Sequence, residues 1–74
     1  MPDKSTHLAR LQQAIEAVAT GQKRIAYQRE IIAELERDHH DTSQAYALLE
    51  TFLETQSLHE QDLERLKREI EKLE

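Results

Sequence analysis

Asp38-His39-His40-Asp41-Thr42-Ser43 separates two segments of more than thirty residues, each carrying an apolar stripe at helical spacing. The run holds no large apolar side chain, and four of its six residues are Asp, Thr or Ser, which compete for backbone hydrogen bonds and so favour caps and turns. His also visits positive φ more readily than most residues. One Gly and one Pro in the whole chain leave few other places for a break. The reading is a single unit over residues 1–74: an all-α, coiled-coil-like antiparallel hairpin, with helix one at about 5–38, a turn at about 39–41 and helix two at about 42–73. One continuous helix is the rival, because neither histidine is a strong breaker and no Pro or Gly enforces the turn.

Upstream of the break, Asp3, Ser5 and Thr6 offer N-caps. Leu8, Leu11, Ile15, Val18, Gln22, Ile25, Arg29 and Ile32 then alternate at spacings of three and four, which is a heptad seam. From Ile25 the line can also step through Gln28 to Ile32 and Leu35, moving Arg29 off the contact. Gly21 inside this segment costs about 1 kcal/mol relative to Ala, and a close helix approach or a kink would account for it. Downstream, Asp41 or Thr42 caps the second helix, and Asp41 with Gln44 has the spacing of a capping box. Leu49, Phe52, Gln56, His59, Leu63, Leu66, Ile70 and Leu73 then hold strict three-four alternation.

Folding the chain about residue 40 brings the two stripes together end to end, with Gln28 opposite Phe52, Ile25 opposite Gln56 and Gln22 opposite His59. Gln22, Gln28, Gln56 and His59 are thereby expected to form one polar layer between two apolar ends. Tyr27, Ile31, Tyr46, Leu53 and Leu58 lie beyond the seam, and a two-helix hairpin has no second layer to cover them. A second copy does: two hairpins forming a homodimeric four-helix bundle would bury a wider stripe on each helix, and C2 dimers are the commonest closed assembly.

Composition points the same way. Leu, Ile, Val and Phe supply 17 of 74 residues, above the level of a disordered chain, yet so small a chain rarely builds a sufficient core alone. The net charge of −5 is uneven, with six basic and six acidic groups in residues 1–38 but four basic and nine acidic in residues 39–74. Such acidity argues against nucleic acid as a partner. No apolar run approaches the roughly 20 residues of a membrane span, and the opening residues lack a signal peptide's apolar region, so a cytoplasmic protein without a membrane partner is expected. The absence of Cys excludes disulfides and thiolate metal sites.

Few residues here carry chemistry. Asp38, His39, His40 and Asp41 combine imidazole and carboxylate, a ligand set suited to zinc, nickel or copper, but adjacent side chains in a turn seldom converge on one ion, and a solvated turn is the simpler reading. His59 on the seam would hydrogen-bond Gln22 or Gln56 and fix register, or titrate as a pH switch. Lys23, Arg24 and Arg29 fall level with Glu54 and Glu60, which suggests interhelical ion pairs. Ser5, Ser43 and Ser57 lack a strained elbow or a glycine-rich oxyanion loop, and a single Gly cannot build a phosphate cradle. No enzyme and no cofactor is expected.

The stretch Arg24-Ile25-Ala26-Tyr27-Gln28-Arg29-Glu30-Ile31-Ile32-Ala33-Glu34-Leu35-Glu36-Arg37-Asp38, followed by His40-Asp41-Thr42, resembles a group of short bacterial proteins of unknown function. These carry an R-I-x-x-Q-R-x-x-I-x-x-L-E-R-D-G-H-D-T segment and then a Leu-rich helix containing Leu-His, where Phe52, Leu58 and His59 fall here. The resemblance covers about residues 7–68 and implies no activity. Where those proteins have Gly this chain has His39, which implies that His39 ends helix one at positive φ and is the less available to a metal. The functional expectation is a small non-enzymatic interaction module that binds itself and presents an acidic surface to other proteins. A metal- or pH-responsive regulator using His39, His40 or His59 is the alternative.

Overall fold

The computed structural model describes residues 4–73, and among them there are two helices and no strand: α1, Lys4–Arg37, and α2, Ser43–Leu73. Both boundaries fall within one residue of the sequence expectation, inside the ordinary uncertainty of helix ends. Asp3, one of the expected caps, lies outside the described residues, while Ser5 and Thr6 lie inside α1. The helices pack along their length into a rod measuring 55 × 16 × 14 Å between Cα atoms.

His39 makes the turn possible. Its φ is 59°, the left-handed conformation that reverses the chain at a helix C-terminus. Around it the His40 N–H donates to Leu35 O at 2.9 Å and the His39 N–H to Glu36 O at 3.2 Å. This is the Schellman pair of bonds, which satisfies carbonyls that the helix end leaves open. The chain then re-enters a helix under two residues with separate tasks. Thr42 O accepts the first bond of α2 from the Tyr46 N–H at 2.9 Å, which makes Thr42 the backbone cap. Asp41 Oδ1 accepts both the Ser43 N–H, at 2.9 Å, and the Ser43 hydroxyl, at 2.7 Å. The expected capping box with Gln44 is thus replaced by an Asx turn onto Ser43. The two bonds, the backbone one foremost, hold the Asp41 carboxyl below its ordinary range.

On α2 the expected seam is the one observed. Leu49, Gln56, Leu66 and Ile70 are buried and Phe52, His59 and Leu63 half-buried, with only Leu73 exposed at the end. On α1 the seam runs one residue away from expectation. His7, Ala14, Gln28 and Ile32 are buried, Leu11, Val18, Gly21, Ile25 and Leu35 half-buried, and Leu8, Ile15, Gln22 and Arg29 exposed. The line 7-14-21-28-35 has displaced the line 8-15-22-29-36. The second line would carry Arg29 and Glu36 into the contact, and burying unpaired charge costs more than surrendering two aliphatic side chains. Small side chains at Ala14 and Gly21 let the backbones approach instead.

Gln56 lies against Gly21 and also borders one groove with Ile25, the residue expected opposite it. His7 meets Glu69 at the open end, with Nε2 3.7 Å from Oε2.

Candidate interaction surface

The seam is pinned at two points where a buried glutamine of one helix reaches the backbone of the other. Gln28 Nε2 on α1 donates to Ala45 O on α2 at 2.9 Å, and Gln56 Nε2 on α2 donates to Val18 O on α1 at 2.9 Å. The two bonds run in opposite directions, and their α1 ends are ten residues apart, about 15 Å of helix. The polar layer expected from Gln22, Gln28, Gln56 and His59 is therefore split. Gln28 and Gln56 are buried at separate levels, His59 is half-buried and Gln22 exposed, and among the described residues no hydrogen bond joins any of the four to another. A backbone carbonyl is present at every level of a helix, so each glutamine finds a partner without needing a second polar side chain.

Gln56 also explains Gly21. Its Oε1 is buried without a hydrogen-bond partner and fills the space beside the Gly21 backbone, where an added Cβ would stand 1.7 Å away. The sequence signal for this contact was available, since Gly21 is seven residues from both Ala14 and Gln28.

The apolar residues left over divide between two flanks of the seam. On one, Leu8, Ile15, Gln22, Arg29 and Glu36 recur every seven residues along α1, and Tyr46, Leu53, Glu60 and Lys67 along α2. Gln22, Arg29, Leu53 and Glu60 border one groove there, and the Tyr46 hydroxyl lies 3.4 Å from Glu36 Oε2. On the other flank, Ala17 and Arg24 border a cleft with Thr55 and His59. Ile31 continues that row by seven, Leu48 precedes Thr55 by seven, and Tyr27 and Leu58 sit at three-four spacing beside these rows. Tyr27, Ile31, Tyr46, Leu53 and Leu58, expected as one interface, thus lie on both sides of the hairpin.

Among the described residues no side chain is completely buried. The apolar core consists of Ala14, Ile32, Leu49, Leu66 and Ile70, whereas Leu8, Ile15, Tyr27, Tyr46, Leu48, Leu53, Leu58 and Leu73 are 42–66% exposed. Charge gathers elsewhere. Arg65 hydrogen-bonds Asp62 and reaches Glu69 at 3.1 Å, and Lys67 meets Glu64 at 3.5 Å. The bond to Asp62 and the two carboxylate charges raise the Arg65 pKa. Arg65 with Glu69 is an i, i+4 pair and Glu64 with Lys67 an i, i+3 pair along α2. The expected interhelical pairs of Lys23, Arg24 and Arg29 with Glu54 and Glu60 are absent among the described residues.

The histidines do not converge. His7 is buried at the open end, His59 half-buried near the middle, and His39 and His40 exposed in the turn. Among the described residues no group of three or more His, Cys, Asp or Glu side chains is placed to hold a metal ion, which includes Asp38, His39, His40 and Asp41. No helix of the described residues is long and apolar enough to cross a membrane. Compared with known proteins, the chain matches no family model, no curated relative and no solved structure.

Proposed function

We propose that this chain is a non-enzymatic helical interaction module that works by self-association, two hairpins pairing into a homodimeric four-helix bundle. The observation that carries the reading is the imbalance between five buried apolar residues and eight large apolar ones at 42–66% exposure. Large apolar side chains left exposed in this number mark an interaction site. A small chain that cannot enclose its own apolar surface gains most by sharing it. Among the described residues no three His, Cys, Asp or Glu side chains gather to hold a metal ion, and association is the activity the exposed apolar side chains support best. The test is sedimentation velocity with multi-angle light scattering from about 1 to 100 μM, a range set by the affinities of specific complexes. The expected mass is twice the 8.7 kDa of one chain. A single chain's mass throughout would refute the proposal.

A further inference from the structure

We draw no further inference here: the strongest candidate, the apolar flank of the hairpin that carries Leu8, Ile15, Tyr46 and Leu53, is an unpartnered helix face, and nothing in the structure shows what covers it.

Discussion

Replacing Gly21 by Ala sets two effects of similar size against each other, and the structure decides between them. In the interior of a helix the change is ordinarily stabilising by about 1 kcal/mol, because Ala loses less backbone entropy. Here the new methyl would stand 1.7 Å from Gln56 Oε1 and 2.7 Å from Gln56 Cδ. Only movement of the glutamine can relieve an overlap of that size. Gln56 is 6% exposed, so its amide cannot swing away without breaking the bond from Nε2 to Val18 O. Leaving a buried polar group unpaired costs about 1–3 kcal/mol, and the off-rotamer torsions needed to make room add about 1 kcal/mol. Gly21→Ala is therefore expected to destabilise by about 1–2 kcal/mol, against the sign of its helix propensity.

A double-mutant cycle isolates the contact. Gln56→Ala alone removes the bond and leaves a void, and is expected to cost about 2 kcal/mol. Once the glutamine is gone, Gly21→Ala should recover its propensity and stabilise by about 1 kcal/mol. The two substitutions thus have a coupling of about 2–3 kcal/mol, well above the scatter seen for independent sites. Urea denaturation followed by helical circular dichroism, at one fixed protein concentration so that association contributes equally, measures all four corners. If Gly21→Ala stabilises the otherwise unaltered chain by its full propensity, Gln56 does not occupy the space beside Gly21 and the register described here is wrong.

Three other substitutions probe the turn and the seam. His39→Gly relieves a non-glycine residue held at φ 59° and is expected to stabilise by about 1 kcal/mol, raising the melting temperature by about 4–8 °C in a domain of this size. Loss of stability would mean that the His39 side chain contributes something the backbone does not reveal. Asp41→Ala removes the acceptor of the Ser43 N–H and hydroxyl and should lower the melting temperature at pH 7. Because the folded carboxyl titrates below its ordinary value of 3.8, its contribution is full above that pH and is lost as the pH falls through the folded value. The gap between Asp41→Ala and the parent should accordingly narrow as the pH falls below 4, and a gap that stays constant from pH 7 down to pH 2 would contradict the hydrogen-bond assignment. Gln28→Leu exchanges a buried amide, whose acceptor Ala45 O is already within a helix, for an apolar side chain of similar size. It should be neutral or stabilising by about 1 kcal/mol, read by the same urea titration.

How much of this was legible in the sequence follows from what each signal measures. The turn was readable because its chemistry is local: Asp41, Thr42 and Ser43 act on backbone groups within four residues of themselves. The α2 seam was readable because its buried positions are also its large apolar ones. On α1 those two properties part company, since Leu8 and Ile15 outrank His7 and Ala14 in any apolar pattern and yet face outward. Helix–helix contact is decided by the whole column that must enter it, and one column ends in Leu35 while the other carries Arg29 and Glu36. The alternative step through Gln28 to Leu35 held the right answer for half the helix. Extending it backwards by sevens would have passed through Gly21, Ala14 and His7.

The same shift ties the glutamines to the outer surface. Choosing the column of small and polar residues costs α1 the burial of Leu8 and Ile15 and keeps Arg29 and Glu36 out of the contact. In return the helices meet closely at Gly21, and Gln28 and Gln56 pin the register from opposite directions. Buried polar groups contribute little net stability but penalise every register that leaves them unpaired. The hairpin is thus held in one alignment by directional bonds, while its largest α1 side chains remain outside to meet something else. Replacing both glutamines by Leu would test that division of labour. The doubly substituted chain should be at least as stable to urea but should lose its single register, giving broadened distance distributions between spin labels placed on Lys23→Cys of α1 and Glu54→Cys of α2. A distribution as narrow as that of the parent would show that apolar packing alone sets the alignment.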